Sequence, residues 1–193
     1  MRLTMRRMRV TLSAAIVLAV FMLSDSPARA QVTKPFRISG SGSGPYGLPL
    51  PGQPPRLHWA IGSATGLGTY YGVGTEQTLS VNLPPLPHAV LTGTFQSGTP
   101  FQFFGSNGDI LACDYGHPPE VGRVFLVPVG NLHFIAYFIA DFIPRTNLCT
   151  GKFAGVTGGW TMYAVSEPFV PGVRAPLYYS WQGEGSLTFP SGQ

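Results

Sequence analysis

Charge is scarce in this chain of 193 residues, of which Asp, Glu, Lys and Arg make up only 10%. Past residue 30 it also lacks any apolar repeat of period 3.6 over 11 or more residues, which removes the basis for a helical bundle. Catalytic signatures are missing: no Gly-x-Ser-x-Gly or His-Glu-x-x-His occurs, and His58, His88, His117 and His133 are scattered. No motif for a cofactor is present, and the expected cofactor set is empty. Aromatics are plentiful, with 13 Phe, 8 Tyr and 3 Trp, so the 25 Gly and 19 Pro do not signal disorder.

The first 30 residues read as an export signal. Arg2, Arg6, Arg7 and Arg9 precede an apolar run over 10–23, and Ala28-Arg29-Ala30 offers a cleavage site. The run is short of the roughly 20 residues of a spanning helix. The expected mature chain starts at Gln31 and is secreted, periplasmic or at the cell surface. The formal charge of +4 belongs to the leader: it holds five of the 12 cations and one of the eight anions, leaving seven of each. With no basic run left, nucleic acid is not an expected partner.

The remaining 163 or so residues suit one domain. Alternation of period two predicts strands over 36–43, 57–65, 69–81, 90–106 (with a break at 98–100), 109–115, 160–165 and 177–189, plus a pair within 122–143 broken at Gly130-Asn131. Asn107-Gly108 is the strongest two-residue hairpin signal. Segments 45–55 and 168–176 are Pro-rich loops. The expected fold is all-β, a single antiparallel β-barrel of about eight strands, with a β-sandwich as the alternative. In 180–189, Trp181, Leu187 and Phe189 share a face with Gly183 and Gly185, opposite a polar face for water.

In the strand after Gly130-Asn131, Phe134, Ala136, Phe138 and Phe142 lie on one face and Ile135, Tyr137, Ile139 and Ile143 on the other. Such a strand needs cover on both sides, which makes Phe134, Ile135, Tyr137 and Ile139 a candidate interface. A membrane barrel would explain it too, but the other strands are too short and Gly-rich, so stable membrane insertion is not expected.

Two cysteines in an exported chain point to a disulfide between Cys113 and Cys149. A metal site from Cys113, Asp114 and His117 lacks a second paired ligand motif, and no metal is expected. His133 and Asp141 share a face but lie about 26 Å apart along an extended strand, beyond hydrogen-bond reach. His58 is opposite the apolar Leu57, Trp59 and Ile61, which places it toward solvent or at a rim. No residue is identified as catalytic; Glu184 is the first acid to test, although its Ser, Gln and Thr neighbours favour a wet outer face.

The stretch from Cys149 to Gly159 resembles the Gly-Thr-Gly-x-Phe-x-x-Ala-x-Gly motif of the allene oxide cyclase and dirigent barrels, with Thr150, Gly151, Phe153 and Gly158 matching. The run from Gly66 to Gly74 and the Asn107-Gly108-Asp109 turn are similar to elements of small exported bacterial barrels of unassigned function. The resemblance covers about 60–189 and implies an eight-stranded barrel, often trimeric. Leu148 and Cys149 replace glycines usual in the plant families, and no cyclase pocket residue maps onto this chain. Independently of the resemblance, Gly151, Gly155, Gly158 and Gly159 suit a tight barrel corner. The function expected is a non-catalytic binding or structural module for a small apolar ligand, as a monomer or homo-oligomer. The alternatives are a cofactor-free cyclase or isomerase-type enzyme working in the barrel mouth, and a surface or matrix protein joined to others through the 134–143 strand.

Overall fold

The computed structural model describes residues 31–45, 47–82 and 90–191. The expected leader with its expected cleavage point at Ala30, and His88, lie outside these. Nine strands follow in order: β1 (Val32–Gly44), β2 (Arg56–Ala64), β3 (Gly68–Asn82), β4 (Leu91–Gly105), β5 (Ile110–Tyr115), β6 (Gly122–Gly130), β7 (His133–Pro144), β8 (Thr157–Ser166) and β9 (Leu177–Phe189). All pairings are antiparallel, and β3 joins β4 as well as β2, so the sheet closes into a barrel. That closure, which joins β3 to β4 and leaves neither as an end of the sheet, excludes the sandwich.

The barrel has eight wall positions because β5 and β6 share one. Residues 101–104 of β4 pair with β5 and residues 91–95 with β6; β7 takes both on its other side. The break expected at 98–100 is therefore no strand end. β4 runs through it, and there its partner changes. The Asn107-Gly108 hairpin forms as its sequence requires: Gly108 takes φ +85, and Asp109 N donates to Asn107 Oδ1 at 3.1 Å.

The lumen is a packed core of large rings set against glycines. On the β1–β3 side the inward positions include Gly40, Gly62 and Gly72, and Cβ atoms on Gly40 and Gly62 would each fall 2.6 Å from the Tyr70 hydroxyl. Rings reach across into that space: Phe103 stacks on Trp181 at 5.7 Å between centroids, and Phe142 on Trp160 at 5.3 Å. Each buried ring contributes about 1.5–3 kcal/mol. Leu67 at the β2–β3 turn, Phe153, Val156 and Leu187 are all 0% exposed and plug one end.

This arrangement corrects the expected face of β2. Leu57 (45% exposed) and Ile61 (60%) point outward, while His58, Ala60 and Gly62 face the lumen. The rings from β4 and β9 already fill the volume inside, so the small side chains of β2 must be the inward ones. On β9 the expectation holds, with Trp181 and Leu187 inside and the Ser180, Gln182, Glu184 face exposed.

The disulfide expected between Cys113 and Cys149 is absent; both thiols are free. Cys113 shares the inward face of β5 with Leu111 and Tyr115. Cys149 instead lies at the strand's edge just past the end of β7, where its sulfur accepts from Ala112 N (3.4 Å) and donates to Ala112 O (3.5 Å). It thus replaces a missing ladder partner at Ala112 N, whereas Ala112 O also accepts from Arg145 N at 2.8 Å. Among the described residues, no helix is long and apolar enough to cross a membrane.

Candidate functional site

Opposite the plugged end the lumen opens on a cavity of about 80 Å³. Its walls are mainly apolar, with Phe95, Phe138, Met162, Ala164 and Leu177 among them, and Gly47 and Leu48 of the Pro-rich 45–55 segment stand at its rim. That segment is therefore more than a surface connection.

Strand register brings the polar groups here. Across the β2–β3 ladder His58 faces Gly74 and Arg56 faces Glu76, so all four positions share the lumen side. The space at Gly74 is taken by Phe101, whose ring packs against the His58 imidazole at 4.9 Å between centroids. His58 then reaches two tyrosines, Nδ1 to Tyr179 Oη at 2.9 Å and Nε2 to Tyr115 Oη at 2.8 Å. Burial pushes its pKa down to about 4, so the ring is neutral at pH 7.

A neutral imidazole has one N–H and one lone pair, so one tyrosine accepts from the ring and the other donates to it. Each hydroxyl also has a carbonyl within reach: Tyr115 lies 3.0 Å from Thr75 O and Tyr179 3.2 Å from Trp59 O. Only the tyrosine that accepts from the ring can donate to its carbonyl. Two networks of opposite polarity result, with the same number of hydrogen bonds, and they interconvert by moving protons across the ring. Burial also raises the pKa of both tyrosines, so both hydroxyls keep their protons.

Glu76 is the acid of the mouth. Burial pushes its carboxyl up to about 8, outweighing the hydrogen bond from Thr78 Oγ1 (3.1 Å) and the positive Arg56 opposite. Arg56 itself donates to Leu48 O at 3.2 Å and to Gln53 Oε1 at 2.7 Å, tying the 47–55 segment to the rim.

Sequence reasoning missed Glu76 and chose Glu184, which the structure places on the outer wall, exposed and 3.7 Å from Arg37. A signal was present. Tyr70, Gly72, Gly74 and Glu76 alternate on one face of β3, and recognising the glycine face as the inner one would have drawn Glu76 and His58 inside. The other candidates disperse. Asp114 pairs outward with Arg145 at 2.6 Å, and His117 contacts Ser97 Oγ at 2.9 Å, leaving Cys113 alone on the inner face. Among the described residues no group of three metal-ligating side chains is placed to hold an ion.

The glycine-rich stretch closes the plugged end. Gly151, Gly155 and Gly158 all take positive φ, and a Cβ on Gly151 would collide with Asp109 Oδ1, the atom that accepts from Lys152 N. Phe153 is buried behind this turn.

Strand β7 has the two apolar faces expected of it. Ala136, Phe138, Ala140 and Phe142 point inward, and Phe134 forms a reciprocal bridge with Phe169. Outside, Tyr137 (46% exposed) lies between Phe125 and Val165, and Ile139 between Arg123 and Tyr163 (50%). With Ile135 these make an apolar strip across β6, β7 and β8. Comparison with protein-family models, curated proteins and solved structures finds no match to this chain.

Proposed function

We propose that the protein is a non-catalytic binding barrel that takes a small apolar ligand, or the apolar end of a larger one, into its open mouth. One observation carries this: the lumen is sealed at one end and, at the other, opens on an apolar cavity where His58, Tyr115, Tyr179 and Glu76 converge. An apolar enclosure with a few fixed polar groups is the usual form of a small-molecule site. The cavity falls well short of the several hundred Å³ that hold a drug-sized ligand, so the part of the ligand that enters is small. The apolar lumen also favours an exported, water-soluble barrel over a membrane one, whose interior is polar.

Titration of isotope-labelled protein with small cyclic hydrocarbons and ketones tests the proposal. Amide shifts gathered at residues such as His58, Ala60 and Leu177 support it; shifts absent or spread over the outer wall reject it.

The reversible polarity of the His58 network supports a second reading, cofactor-free isomerase-type catalysis, since it moves a proton without leaving a buried charge. Turnover lost in His58→Phe would favour that reading. The apolar strip on β6–β8 supports self-association, and the resemblance implies a trimer. Native mass spectrometry of wild type and Tyr137→Glu tests this.

A further inference from the structure

We infer that the mouth selects a neutral ligand bearing a carbonyl oxygen, which accepts a hydrogen bond from the Glu76 carboxyl while its hydrocarbon part packs against Phe95, Phe138 and Ala164. The inference rests on the binding role proposed above and adds the ligand's chemical class. The three hydroxyl and imidazole groups of the mouth are occupied with one another and with backbone carbonyls. Glu76 differs from them. Among the described residues, the hydrogen bond its carboxyl makes to the wall is one it accepts, from Thr78, which leaves its own proton to donate.

The neighbours fix the sign of the preference. Arg56 lies directly across the ladder and disfavours a cationic ligand. Ser97, opposite Glu76 on β4, is engaged by His117 and by Tyr115 N. With the acid's pKa near 8, Glu76 is a donor at neutral pH and becomes a carboxylate in alkali, where it repels a carbonyl oxygen. The other titratable groups facing it are His58, neutral above about pH 4, and Tyr115 and Tyr179, whose pKa values burial raises. His117, beyond Ser97, is common to wild type and Glu76 variants, so comparing them isolates Glu76.

Dissociation constants for cyclopentanone, cyclopentane and cyclopentanecarboxylate, measured by chemical-shift titration at pH 6 and pH 9.5, test the inference. At pH 6 the wild type is expected to bind the ketone about tenfold more tightly than the hydrocarbon, as one neutral hydrogen bond provides. That preference should vanish at pH 9.5. Glu76→Gln should keep it at both pH values through its amide N–H, and Glu76→Leu should lose it at both. Equal binding of ketone and hydrocarbon by the wild type overturns the inference and leaves the binding role standing. Tightest binding of the carboxylate also overturns it and assigns recognition to Arg56. If none of the three binds, the binding role falls with it.

Discussion

Phe101 fills the space above Gly72: a Cβ on that glycine would lie 3.0 Å from the ring's Cζ and nearer still to Cε1. Gly72→Val should therefore overpack the lumen and cost about 1–3 kcal/mol, and Phe101→Ala about 3–5 kcal/mol through its cavity. Because the added side chain occupies the vacated volume, the double variant should cost less than the two singles together. Urea denaturation of the four proteins gives the coupling.

Two buried groups shape the pH dependence of stability in opposite ways. His58 falls from 6.5 to about 4 on folding, so between these values the unfolded chain holds more protons, and acidification destabilises the fold. Glu76 rises from 4.5 to about 8, so the folded chain holds more protons there, and stability is lost as pH rises. Their effects cancel between about 4.5 and 6.5, and above 6.5 only Glu76 acts. Wild type should lose roughly 2 kcal/mol between pH 6.5 and 8 relative to Glu76→Gln, at about 1.36 kcal/mol per pH unit. Parallel denaturation curves across that range check the difference.

The His58 network predicts a tautomer switch. Without the Tyr179 hydroxyl, an Nε2–H ring still donates to Tyr115, which still donates to Thr75 O, and only a lone pair goes unmatched. Tyr179→Phe should hold His58 as the Nε2–H form and Tyr115→Phe as the Nδ1–H form, each at a cost of about 1–3 kcal/mol. Imidazole nitrogen chemical shifts identify the form present; the same tautomer in both variants would contradict the geometry.

Cys149 predicts a thiol count and a stability effect. Protein unfolded without reductant should take up two equivalents of alkylating agent, because neither cysteine is in a disulfide. Cys149→Ala removes the partner of Ala112 N, while Ala112 O keeps its bond from Arg145 N at 2.8 Å, and should cost about 1 kcal/mol in a denaturation experiment.

Strand content and closure were legible because period-two alternation and Asn107-Gly108 are local signals that the fold obeys. The two faces of β7 and β9 were separated correctly for the same reason. The inside of β2 was not legible. Alternation sorts residues into two faces but does not say which is inner, and here glycine and alanine face inward because rings from distant strands need their space. His58 was turned outward by that inversion, and Glu76 drew no attention because the faces of β3 had not been sorted. The thiols escaped prediction because cysteine count says nothing of direction: Cys113 points into the lumen and Cys149 toward a strand edge.

Among the described residues, the stopper formed by Leu67, Phe153, Val156 and Leu187 shuts the far end of the chamber. In the binding role proposed above, a ligand would leave by the route it came, past Arg56 and the 47–55 segment fastened to it, so a guest already inside would bar the next. Arrival and departure would then share that passage, and loosening the fastening at Gln53 would quicken both alike, leaving affinity nearly constant while shortening each visit.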